Sequence, residues 1–235
     1  MGETPRDSRN QTVTERYVIM LLSILLTMLL RPFLSPYFTF PHFLEFFMTS
    51  IIFCVTFTIE APRLLRRSLA VLAGAVVLAA VLAAALASRG LTAASQAAFS
   101  LFFVAALVTL LFDIYHQPRV SAHMIVGVVC GYLLMGLAWG STFSFLETLA
   151  PGSFNLDGSA QPVASQLLYF SFVTLATLGY GDITPATDGA RSLAVLEALL
   201  GQLYLAILMA GLVGVYISST LRAKREPDGS RRGGK

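Results

Sequence analysis

The segment TLATLGYGDITP, residues 174–185, decides the fold of this chain. Two glycines, Gly179 and Gly181, flank a tyrosine, and a carboxylate follows, a combination that neither a helix nor a strand favours. The preceding residues 165–176, SQLLYFSFVTLA, are apolar but too few for the roughly 20 needed to cross a bilayer. The pattern predicts a re-entrant helix that returns as non-helical backbone, which is tolerated at membrane depth only where it is buried in protein or lines a water-filled path.

The composition predicts an all-α integral membrane protein, because 56% of the residues are hydrophobic and only 12% are charged. The run at 17–36 is interrupted by Arg31 and Pro32, so a cleaved signal peptide is the alternative interpretation of its continuous part, although no small-residue cleavage site follows. Six apolar runs are candidate transmembrane helices, at residues 17–36, 42–60, 64–88, 97–115, 122–149 and 189–220.

The basic residues predict the topology. If the amino terminus is cytoplasmic, only Arg31, Arg89 and Arg191 of the 16 Lys and Arg residues lie outside, which the positive-inside rule favours. Both termini are then cytoplasmic, in the plasma membrane or in the inner membrane of a bacterium. The predicted regions are a cytoplasmic tail at 1–16, a four-helix transmembrane region at 17–119, a pore domain at 120–220 and a basic cytoplasmic tail at 221–235 that contacts anionic lipid.

The glycines suit a backbone whose carbonyls face a common axis. Successive carbonyls reach one axis when residues alternate between right-handed and left-handed regions, and Gly179 and Gly181 adopt the left-handed one at little cost. Carbonyl oxygens can replace the water shell of an alkali ion, and the Thr177 hydroxyl adds a further oxygen. The carboxyl end of the short helix carries about half a negative charge, and Asp182 at the outer mouth attracts cations.

Thr177, Leu178, Gly179, Tyr180 and Gly181, followed by Asp182, resemble the signature of potassium channels. The resemblance extends over about 122–215. It implies a selectivity filter that binds K⁺ at Thr177, Leu178, Gly179 and Tyr180, a pore helix at 165–176, an outer helix at 122–149 and an inner helix at 189–220. It also implies a homotetramer, since one filter loop per chain needs four copies. Tyr169 and Phe170 occupy positions where relatives carry aromatic residues that brace the filter tyrosine.

The chain departs from the family pattern at two positions near the filter. Ala176 replaces a frequent threonine and removes a hydroxyl below the filter, and Val173 stands where some relatives place a glutamate that pairs with the outer aspartate. Leu178 replaces the commoner valine, which matters little for carbonyl ligation.

The inner helix carries candidate gating and cavity residues. By resemblance, Gly201 is a hinge, with close helix packing as the equal alternative, and Gln202, Leu205 and Met209 face the cavity. Glu197 is an intramembrane carboxylate and therefore a functional candidate, although a protonated or hydrogen-bonded strut behind the pore helix is the favoured interpretation. In the outer helix, two glycine pairs predict close packing: Gly127 with Gly131, and Gly136 with Gly140.

Other function classes find little support. The fourth run has no arginine series, so we expect a leak-like channel without voltage sensing. A nonselective monovalent cation channel and a non-conducting channel subunit remain the alternatives. No catalytic constellation, phosphate loop or metal-ligand cluster is evident, so we predict no enzyme activity, cofactor, nucleic acid or small-molecule substrate. The expected partners are membrane lipid and K⁺, the latter as the permeant ion. Cys54 and Cys130 are expected to be packing residues.

Overall fold

A computed structural model describes residues 15, 17–26, 28–30, 43–58, 63–115, 122–158 and 161–225. Helix α1 comprises the helical residues 17–26 and 28–30. The elements that follow are α2 (Phe43–Thr58), α3 (Arg63–Leu86), α4 (Arg89–Tyr115), α5 (Ala122–Leu149), β1 (Phe154–Asn155), α6 (Val163–Leu175), β2 (Thr184–Pro185) and α7 (Asp188–Arg225). Most of the predicted amino-terminal tail and residues 226–235 of the predicted basic tail lie outside the described residues.

Four helices in the described part of the chain are long and apolar enough to cross a membrane: Leu65–Leu86, Arg89–Ile114, Ile125–Leu149 and Asp188–Leu208. The chain is therefore a multi-pass, mostly helical membrane protein. Helix α2 has 16 residues, which is short for a span, and α1 is shorter still. Six spans and a re-entrant pore helix stay predictions.

Several helix boundaries differ from those predicted, and three of the differences have a reason in the sequence. Helix α4 begins at Arg89 rather than at 97, because its first turns hold alanine, serine and glutamine, which favour a helix but lack the hydrophobicity that marks a span. Helix α6 begins at Val163, directly after Pro162, which cannot contribute an N–H. Helix α7 extends through Arg225, beyond the predicted end at 220, because hydrophobicity ends before helix propensity does.

A row of polar contacts joins α4 to the outer end of α5. The hydroxyls of Ser100 and Thr142 lie 2.7 Å apart, and the Thr148 hydroxyl donates to Gln96 Oε1 at 2.8 Å. Arg89 Nε donates to the Thr148 carbonyl at 2.7 Å, where the last carbonyls of α5 have no partner within their own helix. Such contacts hold membrane helices together because lipid offers their polar groups no substitute. The fourth helix is thus fixed on the fifth.

The amino-terminal helices share one apolar core with α4 and α5. Tyr17, Met20 and Ile24 of α1 are buried in it, and the Tyr17 hydroxyl donates to Asp113 near the end of α4. The Cys130 thiol contacts the Tyr17 carbonyl at 3.6 Å, and Cys54 accepts a hydrogen bond from Ser23. Both cysteines therefore lie among packed helices, as the sequence predicts.

Gly131, Gly136 and Gly140 of α5 form notches for α6 and α7. A Cβ at Gly140 would lie 2.9 Å from Leu168 Cα, and one at Gly136 would collide with the Phe172 ring. Gly131 similarly faces the hydroxyl of Tyr204 in α7. A side chain at these positions would push the helices apart. The predicted close packing is thus directed at α6 and α7.

Candidate functional site

The backbone from Thr177 to Gly181 alternates in handedness. Thr177, Gly179 and Gly181 have φ of 56°, 62° and 79°, whereas Leu178 and Tyr180 are not among the residues with positive φ. An alternation of this kind turns successive carbonyl oxygens toward one side of an extended chain. The sequence predicts the two glycines in this role but not Thr177, because a β-branched residue normally avoids positive φ. The observed alternation is therefore compatible with the predicted row of carbonyl oxygens.

The inner end of this loop is tied to the last turn of α6. The amide of Thr177 donates to the Thr174 carbonyl at 3.0 Å, and the amide of Leu178 donates to the Val173 carbonyl at 2.9 Å. From α5, the Tyr132 hydroxyl donates to the Leu175 carbonyl at 2.8 Å. Since these bonds satisfy backbone groups that a helix end leaves unpaired, the loop leaves the helix in one defined direction.

One side of the loop is uncovered in the single chain. Leu178 is 56% exposed and Tyr180 67% exposed, and nothing lies within 4 Å of a Cβ placed at Gly179 or Gly181. In α7, Leu199, Leu203 and Ile207 are also exposed. The loop and the described part of α7 are therefore both largely uncovered in the single chain.

The outer end of the loop is held by a hydrogen bond to the short helix. The Tyr169 hydroxyl donates to Asp182 Oδ2 at 2.8 Å, and Asp182 Oδ1 accepts from its neighbour Ile183. This hydrogen bond to a carboxylate raises the pKa of Tyr169 to about 12, so the phenol keeps its proton at neutral pH. Tyr169 therefore holds Asp182 in place, a contact that the sequence does not predict.

We expect Tyr169→Phe to loosen the outer end of the loop and to weaken K⁺ binding about threefold, because the mutation removes one hydrogen bond to a carboxylate and little packing. Isothermal titration calorimetry of the purified protein with K⁺ measures the change. Asp182→Asn supplies the matched background. If Tyr169 acts through this bond, Tyr169→Phe weakens K⁺ binding less in the Asp182→Asn background than in the wild type. Fully additive losses of affinity would contradict the assignment.

A two-stranded pairing fixes the segment that follows the loop. Strands β1 and β2 are antiparallel, with Phe154 opposite Pro185 and Asn155 opposite Thr184. The Phe154 ring is buried and contacts Phe143 and Phe170, with ring centroids 5.3 and 5.4 Å away. The return segment is thus anchored to the connection after α5.

Glu147 holds the turn that precedes β1. Its two carboxylate oxygens accept hydrogen bonds from the amides of Gly152, at 2.8 Å, and Phe154, at 3.0 Å. The sequence analysis missed both Glu147 and Phe154. A glutamate at a helix end followed by a lone aromatic in a polar turn is the only signal available, and such a signal is weak.

The remaining predicted residues lie on or beside this assembly. Phe170 packs against Phe143 and Phe154, so the bracing of Tyr180 by Tyr169 and Phe170 stays a prediction. Gly201 is buried, and a Cβ there would lie 2.7 Å from Leu175 Cδ1, which fits close packing. Its hinge role is untested. The other predicted residues belong to α7: Gln202 and Leu205, which are exposed, Met209, whose side chain lies outside the described part, and Glu197, which is fully buried.

Comparison with known proteins supports the predicted resemblance. Residues 127–218 match the ion channel family. Two pore potassium channel c of Oryza sativa subsp. japonica is 45% identical over 98 residues, which cover 41% of this chain and 20% of that protein. This part of the chain is therefore similar to potassium channels. The predicted resemblance is thereby confirmed, and the matched part of the chain holds α6, the loop and most of α5 and α7.

Further relatives agree with this similarity. Two-pore potassium channel 5 of Arabidopsis thaliana is 43% identical over 65 residues, covering 26% of this chain and 16% of that protein. Inward rectifier potassium channel Kirbac3.1 of Paramagnetospirillum magnetotacticum is 35% identical over 101 residues, covering 40% and 31%. The matches thus span from about a sixth to a third of the length of these relatives. No solved structure is a significant match.

Proposed function

We propose that four copies of this chain form a channel that conducts K⁺ passively and selectively. The observation that carries the proposal is the alternation of backbone handedness from Thr177 to Gly181. Four such loops around an axis would supply rings of carbonyl oxygens that replace the water shell of K⁺. In this proposal the ion is bound by the carbonyls of Thr177, Leu178, Gly179 and Tyr180 and by the Thr177 hydroxyl. The names of the similar proteins support K⁺ as the permeant ion.

The surroundings of the loop favour a cation at both of its ends. The carboxyl end of α6 lies directly before the loop, and its aligned peptide dipoles place about half a negative charge there. Asp182 adds a carboxylate at the outer end, held in place by Tyr169. A cation that has left bulk water is therefore stabilised before and after it passes the carbonyls.

The homotetramer is proposed from the surface that a single chain leaves open. The loop is exposed, and the adjoining part of α7 is apolar yet mostly unburied. Around a fourfold axis, the loops would meet at the centre while the α7 helices line the inner cavity, with Gln202 and Leu205 facing water. Closed rotational symmetry covers each copy's surface with the same surface of a neighbour.

We infer leak-like gating without a voltage sensor. A moving sensor needs some 3 to 4 basic residues along one span. The only basic residue of helix α4 is Arg89, at its outer end, where the guanidinium donates to the carbonyls of Thr148 and Leu149.

The wider proposal comprises six spans, both termini in the cytoplasm, location in the plasma membrane, a four-helix region at 17–119 and a pore domain at 120–220.

An ion-flux assay on purified protein in liposomes tests the proposal. Vesicles loaded with KCl are diluted into K⁺-free buffer, and matched vesicles are loaded with NaCl, with protein-free vesicles as the control. We expect rapid K⁺ efflux and little Na⁺ efflux. Equal fluxes of both ions would instead support a nonselective channel, to which the missing hydroxyl at Ala176 would contribute. Absence of any flux would support a non-conducting subunit.

A further inference from the structure

One buried contact joins the three helices around the pore loop. The Ser171 hydroxyl of α6 lies 2.8 Å from the Gly136 carbonyl of α5 and 2.5 Å from Glu197 Oε1 of α7. Ser171 and Glu197 are both completely buried. The three polar groups therefore contact one another in a buried space between α5, α6 and α7.

The number of hydrogens in this contact determines its direction. A serine hydroxyl has one hydrogen to donate, and a backbone carbonyl can only accept. When Ser171 donates to Gly136, the 2.5 Å contact with Glu197 Oε1 holds a hydrogen only if the carboxyl group supplies it. If Glu197 were a carboxylate, one of the two contacts of the Ser171 hydroxyl would bring two acceptor oxygens together with no hydrogen between them.

The surroundings of Glu197 also disfavour a charge. Within the described residues, Glu197 Oε2 is buried without a hydrogen-bond partner. Arg191, a basic residue of the same helix, pairs with Asp188 rather than with Glu197. The nearby Tyr132 of α5 uses its hydroxyl proton on the Leu175 carbonyl. An unpaired neutral carbonyl oxygen costs far less in an apolar interior than an unpaired charge does.

We propose that Glu197 is a neutral carboxylic acid that donates a hydrogen bond to the Ser171 hydroxyl and thereby positions the pore helix behind the filter. The hydrogen bond between Glu197 and Ser171 joins α7 to α6, and the hydrogen bond from Ser171 to the Gly136 carbonyl joins α6 to α5. Two residues after Ser171, the Val173 carbonyl accepts the amide of Leu178 in the loop. The effect on conduction rests on the proposed function, whereas the protonation state does not.

Infrared spectroscopy tests the protonation state directly. The difference spectrum between the wild-type protein and Glu197→Gln, recorded at neutral pH in lipid, isolates the absorption of this one side chain. We expect a carboxylic acid C=O band that is present in the wild type and lost in the variant. Loss of carboxylate stretching bands instead would overturn the proposal. Because the measurement needs no ion flux, it stands even if the protein does not conduct.

Rescue by a conservative variant tests the positioning role. Glutamine keeps a neutral donor of similar length, whereas Glu197→Met keeps the length but donates nothing. We expect Glu197→Gln to retain K⁺ flux within about twofold of wild type and Glu197→Met to lose about tenfold, since a buried hydrogen-bonding group is left unpaired. Leu78→Met, at an exposed position of α3 away from the loop, is the control and should have no effect. Equal flux in Glu197→Gln and Glu197→Met would refute the positioning role.

Discussion

Gly179→Ala is expected to abolish K⁺ conduction while the protein still folds and assembles. Gly179 has φ of 62°, a conformation that costs a residue with a side chain roughly 1–2 kcal/mol, and four copies would carry that strain in one ring of carbonyls. Space is not the obstacle, because nothing lies within 4 Å of the added Cβ. We expect flux in liposomes to fall by at least about a hundredfold, since the strain is relieved by turning the carbonyl away from the axis.

A second glycine provides the matched control. Gly158 also has a positive φ, of 72°, and open space around its Cβ, but it lies in the connection between β1 and α6. Gly158→Ala therefore introduces comparable backbone strain away from the loop, and its flux should remain within about twofold of wild type. Wild-type flux in Gly179→Ala, or an equal loss in both variants, would contradict a specific role for the Gly179 carbonyl.

Gly140→Ala is expected to destabilise the protein by about 1–3 kcal/mol, the usual cost of overpacking a tight contact. A Cβ at Gly140 would lie 2.9 Å from Leu168 Cα. Because that neighbour is backbone, no rotation of a side chain relieves the clash, and α6 must move away from α5. Thermal unfolding of the purified protein in detergent measures the loss, and flux should fall with it because α6 carries the loop.

Gly74→Ala is the control for this change. Gly74 lies in the interior of α3, where nothing is within 4 Å of an added Cβ. Alanine there should leave the midpoint of thermal unfolding unchanged or raise it, because its better helix propensity is worth about 0.5–1 kcal/mol. A midpoint for Gly140→Ala that matches Gly74→Ala would mean that the close approach of α5 and α6 is not required for stability.

The left-handed backbone at Gly179 and Gly181 could be predicted from sequence because its constraint is local. Gly179 and Gly181 are the residues that adopt positive φ at little cost, and the short apolar run before them is too short to span. The positive φ of Thr177 could not be predicted in this way. Its backbone is fixed by hydrogen bonds to the end of α6 rather than by its own preference.

The support around the loop was largely beyond prediction because it depends on contacts distant in sequence. Phe154 lies in a stretch rich in turn residues, and only its pairing with Pro185 explains why its ring is buried. Two-residue strands carry no periodic pattern that could reveal them. The glycines of α5 indicated close packing, but the partner of Gly140, Leu168, follows only from the fold. Glu197 contacts Ser171 of α6, a partner that the strut interpretation did not name.

The reversal potential of single channels in a planar bilayer, with KCl on one side and NaCl on the other, tests the central claim most directly. If the carbonyls from Thr177 to Tyr180 replace the water shell of K⁺ more closely than that of Na⁺, current carried from the KCl side persists until the opposing voltage is large. The account predicts reversal at a voltage far from zero, set by a large ratio of K⁺ to Na⁺ permeability. Reversal near zero under these conditions, with equal permeability to both ions, would contradict it.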